Sequence, residues 1–396
     1  MNDTITTGPW EAWVRSVGSG TTRNRGIYVH VPYCSSRCGY CDFNTYTPQE
    51  IDVAASEYVS LALGEIDLAS DIWSGRGIDT VFIGGGTPTL LDTREIAAII
   101  SRIDDRFGLN GSAEITVEAN PDSVDAASLA ALRDAGVSRI SFGVQSLSPH
   151  ALAVLDRTHT PGKSLAVIRE ARDAGFEHVS ADLIYATPGE SDSDLEASVR
   201  GVLAEGVDHV SAYSLIVEPG TRLAGQVQRG EIPAVDDDIA AHRYRLIDSV
   251  LVEHGFDWYE VSNWSRPGGE CRHNLGYWRD GDWWAIGPGA HGHLRNGERA
   301  LRWWNVKYPA RYAQRIGAGS PPVAEWEELD AATMKLEQVM LGLRLREGID
   351  RGLIGEERRS ALDDLVQRGW VSVTDDRVRL TEVGRLLADA VIRELT

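Results

Sequence analysis

A strand–helix unit that recurs along residues 27–215 constrains the fold more than any other feature of the sequence. Short runs rich in β-branched residues alternate with longer segments whose apolar residues recur at helical spacing. Three of these segments end in a glycine, Gly136, Gly175 or Gly206, which accepts the left-handed conformation at a helix C-terminus. The predicted strands are 27–31, 80–83, 114–118, 139–144, 178–184 and 209–215, and the predicted helices are 54–72, 94–103, 126–135, 164–174 and 194–204.

Repeated units of this kind predict an α/β fold. Because crossovers between parallel strands are right-handed, six units give a parallel sheet that curls into a partial (β/α)6 barrel of the TIM type. An open doubly wound sheet is the alternative. Changes of pattern predict a loosely held arm at 1–25, the barrel at 26–235, a tryptophan-rich α+β extension at 236–326 and a small winged-helix-like domain at 327–396.

Three of the four cysteines follow the first predicted strand as Cys34-x3-Cys38-x2-Cys41. Three thiolates so close in sequence can hold a metal or an iron–sulfur cluster and leave one coordination position free for a ligand. A closed structural zinc site is the alternative, but it needs a fourth ligand, for which His30 and Asp42 are the nearest candidates.

The composition narrows the class of protein. Four cysteines in 396 residues, three of them adjacent, do not make a disulfide framework, so we expect a reducing compartment and a buried thiol at Cys271. No apolar run approaches the roughly 20 residues that span a bilayer, which predicts a soluble, cytoplasmic protein. A formal net charge of −20 disfavours nucleic acid and anionic membranes as partners.

Glycines and polar residues cluster where the predicted strands end, which is where function sits in either fold. The turn at 84–89 reads Gly-Gly-Gly-Thr-Pro-Thr, and we expect its backbone to approach a ligand with free N–H groups. Glu118, Gln145 and Asp182 lie at three successive strand ends and can hold the amino and hydroxyl groups of one polar ligand. Arg157 can bind a carboxylate. Each residue alone is more typical of a cap, a turn or a surface; the recurrence favours a ligand site.

The cysteine loop and the glycine turn together resemble the radical S-adenosylmethionine superfamily. Further matches at 28–32, 118–121, 143–146, 182–185 and 273–278 extend the resemblance to the group of oxygen-independent coproporphyrinogen III oxidases and HemW haem chaperones. The resemblance implies that Cys34, Cys38 and Cys41 hold a 4Fe-4S cluster whose unique iron binds S-adenosylmethionine. It also implies S-adenosylmethionine contacts for Tyr28, Tyr40, Gly85, Gly86, Thr87, Glu118, Gln145, Arg157 and Asp182.

Two departures separate the branches of this group. The oxidases carry a further cysteine two residues past the third and a longer segment before the first strand; this chain has Phe43 at that position and 25 residues before Gly26. Both features favour the haem-chaperone branch, which would bind the cluster, S-adenosylmethionine and haem and pass haem to acceptors such as membrane-bound respiratory enzymes. Oxidative decarboxylation of coproporphyrinogen III by a 5'-deoxyadenosyl radical is the alternative function.

Eight of the twelve tryptophans lie between Trp258 and Trp326. Their flat apolar surfaces suit a large planar ligand, and His273, His291 and His293 lie among them as candidate axial ligands. A packed aromatic lid over the barrel is an equal alternative. The resemblance favours haem near the segment 273–278, with candidate contacts at His273, Asn274, Tyr277 and Trp278.

The last 70 residues predict a separate module. Helical patterns at 329–345 and 360–368 precede two β-type runs, 370–373 and 378–380, and a final helix from Glu382, as in a winged-helix domain. Residues 327–396 carry 15 acidic and 11 basic side chains, which favours a packing or partner surface over DNA binding. The sequence leaves the assembly state open, with a homodimer among the options.

Overall fold

A computed structural model of the protein describes residues 8–17, 23–51, 53–75, 77–160 and 162–396. Within these residues the strands β1 to β15 are Arg25–Val31, Ile78–Gly85, Leu109–Ala119, Arg139–Gln145, His178–Tyr185, His209–Ser214, Asp257–Glu260, Asn263–Ser265, Asp282–Ile286, His291–Asn296, Arg299–Asn305, Val323–Leu329, Ile349–Asp350, Val371–Thr374 and Arg377–Leu380. The helices α1 to α15 are Gly8–Arg15, Ala55–Ile72, Thr93–Phe107, Ala126–Asp134, Pro149–Val154, Lys163–Asp173, Asp192–Ala204, Arg222–Gln228, Asp237–Glu253, Arg272–Trp278, Pro309–Gly317, Ala331–Gly342, Arg359–Gln367, Glu382–Leu386 and Ala388–Leu395. No helix in the described ranges is both long and apolar enough to cross a bilayer.

Six parallel strands, β1 to β6, lie side by side in chain order. A doubly wound sheet would reverse its strand order at a switch point. The order here runs without reversal, so the partial barrel is confirmed. Each predicted strand overlaps one of these six, and the five predicted helices correspond to α2, α3, α4, α6 and α7. Gly136, Gly175 and Gly206 follow α4, α6 and α7 with φ of 95°, 80° and 86°, as expected for glycine at a helix end.

The residues after the barrel extend the same sheet at both edges. Strand β9 pairs in parallel with β1, so that Tyr28 lies opposite Ala285, and β10, β11 and β12 then continue the sheet in antiparallel order. At the other edge β8 pairs antiparallel with β6, and β7 pairs with β8. Within the described residues the result is a sheet of twelve strands, and β1, which leads into the cysteine loop, lies in its interior.

Helix α1 lies within the arm that we predicted to be loosely held. Its Trp10 is fully buried and packs edge-on against Trp284 and Trp303, with ring centroids 5.9 and 5.7 Å apart. The prediction of a loose arm is therefore wrong for residues 8–17. Residues 1–7 and 18–22 of that arm lie outside the described residues.

The C-terminal module is a three-stranded sheet, β13-β15-β14, packed with helices around its own apolar core. The two predicted β-type runs correspond to β14 and β15; β13, with two residues, was too short to predict. Arg385 joins the module to the rest of the chain, because it pairs with Asp248 at 2.8 Å and lies 4.6 Å from the ring of Trp258. The predicted boundary between 326 and 327 falls inside β12, and the four-region division stays a prediction.

Candidate cluster and cofactor site

The cysteine loop runs from β1 towards α2 and is anchored at three points. The amide of Cys34 donates to the carbonyl of Tyr46 over 3.0 Å. The amide of Gly39 donates to the carbonyl of Leu155 over 3.2 Å, and the carbonyl of Gly39 accepts from the amide of Leu223 over 2.8 Å. Backbone bonds to two distant segments thus hold the loop at the carboxyl ends of the barrel strands.

The thiols of Cys34, Cys38 and Cys41 line one cavity of about 300 Å³. All three are partly buried and free of disulfides, and burial raises the pKa of the Cys34 and Cys41 thiols. The Nη1 of Arg157 donates a hydrogen bond of 3.2 Å to the sulfur of Cys38.

The donor set fits a cluster better than a closed zinc site. Both ring nitrogens of His30 are already hydrogen-bonded, at 3.0 and 2.9 Å, so His30 is not available as a fourth ligand. In the described ranges no group of three or more His, Cys, Asp and Glu side chains, the three cysteines and Asp42 included, is arranged to hold a single metal ion such as zinc. Three thiols around one cavity fit an iron–sulfur cluster that keeps one iron open to another ligand.

The glycine turn after β2 packs directly against the cysteine loop. The amide of Thr87 donates to the carbonyl of Tyr33 over 2.7 Å, and that of Gly86 donates to β1 over 2.8 Å. The amide of Gly85 donates to Oε2 of Glu118 over 3.0 Å. The prediction of free N–H groups is therefore wrong for these three residues. A Cβ on Gly86 would lie 2.3 Å from the Tyr33 carbonyl oxygen, so contact with the loop requires glycine.

Two partly buried carboxylates, Glu118 and Asp182, lie in β3 and β5. Burial, reinforced by the charge of Asp182, raises the pKa of Glu118 to about 8. Burial also raises the pKa of Asp182 to about 6, against the opposing effect of hydrogen bonds from Ser211 and Ser141. Carboxylates that are costly to ionise in the free protein favour a cationic ligand, which would stabilise both charges.

All nine residues predicted to contact S-adenosylmethionine line the cysteine cavity or the adjoining cavity of about 410 Å³ inside the barrel. The two cavities share Tyr40, Phe43, Glu118 and Asp182. Gln145 lines the interior cavity with a φ of 65°, a left-handed conformation that is rare outside glycine and often marks a functional position. Gly85, Gly86, Thr87 and Arg157 line the cysteine cavity, and Tyr28 and Gln145 line the interior one.

The segment 273–278 forms α10, and its His273, Asn274 and Tyr277 line the interior cavity. Both ring nitrogens of His273 are hydrogen-bonded over 2.8 Å, Nδ1 with Thr80 and Nε2 with Tyr277. Burial lowers the pKa of His273 to about 4. The indole N–H of Trp278 is buried without a hydrogen-bond partner among the described residues. A haem contact at these four residues stays a prediction.

Sequence reasoning missed a row of small hydroxyl side chains inside the barrel. Ser141 lies opposite Ser180, and Ser211 lies opposite the predicted Asp182, in neighbouring strands. The three serines line the interior cavity. A polar residue inside an otherwise apolar parallel strand is the signal that could have found them, because such strands are buried on both faces.

Comparison with known proteins identifies the family. Residues 28–201 match the model of the Radical SAM superfamily. Over 371 residues the chain is 49% identical to the heme chaperone HemW of Mycobacterium tuberculosis, with 93% of this chain and 94% of the relative covered. The chain belongs to the HemW family.

Two further comparisons extend the HemW assignment. The heme chaperone HemW of Escherichia coli is 32% identical over 376 residues, which cover 92% of this chain and 96% of that one. The solved structure of the coproporphyrinogen III oxidase HemN from Escherichia coli matches with a TM-score of 0.82 and 22% identity, covering 97% of this chain and 93% of that chain. At this identity the likeness to HemN shows a shared fold and confirms the radical SAM barrel.

Proposed function

We propose that this chain holds a 4Fe-4S cluster and S-adenosylmethionine, binds haem, and delivers haem to acceptor proteins, membrane-bound respiratory enzymes among them. One observation carries the proposal: the thiols of Cys34, Cys38 and Cys41 line the same cavity as the partly buried carboxylates Glu118 and Asp182. Membership of the HemW family, whose named members are heme chaperones, supports haem as the cargo.

The residues of the two joined cavities have distinct proposed tasks. Arg157 binds the carboxylate of the methionyl group, because a guanidinium forms charge-assisted hydrogen bonds with carboxylates. Glu118 and Asp182 balance the positive charges of S-adenosylmethionine, while Tyr28 and Tyr40 shield it from water. The cluster and S-adenosylmethionine, when bound, supply one-electron chemistry.

Phe43 supports the chaperone over the oxidase. Its side chain is 62% exposed and lines three cavities: the cysteine cavity, the interior cavity and a third cavity whose walls include Trp283 and Trp304. An exposed aromatic ring at the junction of three cavities offers a surface on which a flat apolar ligand can pack. The oxidases have a further cysteine at this position. Coproporphyrinogen oxidation is therefore the second candidate function, and the experiment must distinguish it from haem delivery.

The test is an anaerobic reconstitution of the cluster in the full chain, followed by haem titration with and without the cluster. We expect stoichiometric haem binding and no protoporphyrinogen from added coproporphyrinogen III in the presence of S-adenosylmethionine and a reductant. Absence of haem binding would contradict the chaperone function. Formation of protoporphyrinogen would favour the oxidase instead.

A further inference from the structure

A large cavity lies beside the cluster site, on the strands that follow the barrel. Its volume is about 890 Å³, near the upper end of the roughly 300–1,000 Å³ of most ligand pockets. We call it the tryptophan cavity; its walls include Trp283 and Trp304, with His291, Arg302 and Lys307 at its polar positions. Tyr28, Phe43, Gly85 and Glu118 also line it, so it borders the cluster site.

The walls of the tryptophan cavity are flat. Trp304 stacks on His291 with ring centroids 5.7 Å apart and planes at 23°. Trp283 stacks on His293 at 4.8 Å and 25°. Stacked indole and imidazole rings present planar apolar faces, which suit a planar macrocycle better than a globular ligand.

One histidine of this cavity is free to bind iron. His30 is hydrogen-bonded at both ring nitrogens, and His293 is held by the carbonyl of Gly281 at 2.9 Å and by Asp280 at 3.3 Å. The ring of His291 makes no hydrogen bond with any residue that the structure describes, and its side chain is exposed. A histidine that keeps a nitrogen unbonded can coordinate a metal without breaking an existing contact.

Among the described residues, the charges around the cavity leave one cation without an ion pair. Arg302 is neutralised by Glu327 and Glu337, both at 2.9 Å, and Asp280 is paired with Arg295 at 2.6 Å. The ammonium of Lys307 forms no ion pair within the described ranges, and Lys307 is exposed. An unpaired lysine at the edge of an apolar pocket can bind the carboxylate of a ligand.

We infer that haem binds in the tryptophan cavity, with His291 as its iron ligand and Lys307 pairing with a propionate. The inference rests on the proposed haem binding and moves the ligand away from His273, whose ring nitrogens are both engaged inside the barrel. An exposed ligand in an open cavity suits a cargo that must be handed on, because little protein has to move before iron can exchange ligands.

The test compares haem titrations of the wild-type chain, His291→Ala and His242→Ala, each with its cluster reconstituted. His242 is a matched control, since it is an exposed histidine that pairs with Asp192 and does not line the tryptophan cavity. We expect His291→Ala to weaken haem binding at least tenfold and to change the Soret band. Its iron content and S-adenosylmethionine affinity should match the wild type, and His242→Ala should behave as wild type throughout.

A ligand exchange separates coordination from a structural role. His291→Cys should bind haem with a shifted Soret band, because a thiolate replaces imidazole on the iron. Lys307→Gln should weaken binding without a spectral change. If the wild type binds haem and His291→Ala binds it equally with the same spectrum, the inference is wrong and the proposed function stands. If the wild type binds no haem, both are wrong.

Discussion

The guanidinium of Arg157 lies 3.2 Å from the sulfur of Cys38, and its other terminal nitrogen donates to the carbonyl of Gly143 over 3.1 Å. One side chain thereby connects the cysteine loop to the end of β4. The Nε of Arg157 also donates to Nε2 of His159 over 2.8 Å, which orients the guanidinium from a third direction.

We predict that Arg157→Gln weakens S-adenosylmethionine binding by about tenfold or more, since a hydrogen bond to a charged group contributes roughly 1.5–3 kcal/mol. Equilibrium binding to the anaerobically reconstituted protein measures the effect. Arg169→Gln removes an arginine from an exposed pair with Glu205 and serves as the control. Equal affinities of the two variants would contradict the role of Arg157.

Cys38→Ala should lose the iron–sulfur absorbance while the protein stays folded, because the cysteine loop lies at the barrel mouth and not in its core. Iron content and far-ultraviolet circular dichroism measure the two properties. Cys271→Ala is the matched control: Cys271 is buried beside Glu114 and does not line the cavity of the three thiols, so its removal should leave the iron content unchanged. A full iron complement in Cys38→Ala would show that the ligand assignment is wrong.

Gly86→Ala should destabilise the site, because the new methyl group would lie 2.3 Å from the carbonyl oxygen of Tyr33 and 3.1 Å from the sulfur of Cys34. We expect a loss of about 2 kcal/mol in the free energy of unfolding and a lower iron content after reconstitution. Denaturant titration of the cluster-free protein measures the first. Gly111→Ala, where a Cβ meets nothing within 4 Å, should change neither quantity.

Binding of S-adenosylmethionine should tighten as pH rises from about 6 to 8, since Asp182 and Glu118 ionise over this range and the ligand is cationic. The free energy of unfolding of the free protein should instead fall as pH rises over this range. A carboxyl whose pKa is raised by folding contributes its stability fully below its unfolded pKa and loses it as pH rises through the folded value.

Dissociation constants and denaturant midpoints across this pH range test both trends. Glu118→Gln should flatten the upper part of both profiles, whereas Glu177→Gln, an exposed residue, should leave them unchanged. A pH-independent affinity in the wild-type protein would refute the role of the two carboxylates.

The sequence predicted most of the barrel because its information there is local. Strands 27–31 and 178–184 are short runs rich in apolar residues, with glycine signals between units, and they correspond to β1 and β5. The spacing of the three cysteines in the loop is likewise a local pattern in the sequence. The contacts of Glu118 and Arg157 could not be predicted in detail, because they join residues far apart in the chain. For the same reason the glycine turn was expected to offer N–H groups that Tyr33 and Glu118 in fact engage.

Non-local packing also hid the state of the histidines. Nothing near His273 in the sequence indicates that Thr80, 193 residues earlier, bonds its Nδ1. His291 and His293 are two residues apart and read alike, yet Asp280 and Gly281 engage the ring of His293, whereas the ring of His291 has no hydrogen bond within the described ranges. Side chains alternate between the two faces of a strand, so His291 and His293 lie on the same face of β10. Only tertiary contacts therefore distinguish the two histidines.

The parallel pairing of β1 with β9 has a consequence for the order of events during synthesis. Strand β1 carries the cysteine loop, but its second hydrogen-bonding partner ends at Ile286, about 250 residues later in the chain. Until the ribosome has extruded that segment, β1 is an edge strand with unpaired backbone groups. The three cysteines of the loop therefore reach their final support only when almost three quarters of the polypeptide has been made. A protein shortened to residues 26–235 would expose this edge permanently and be prone to aggregate.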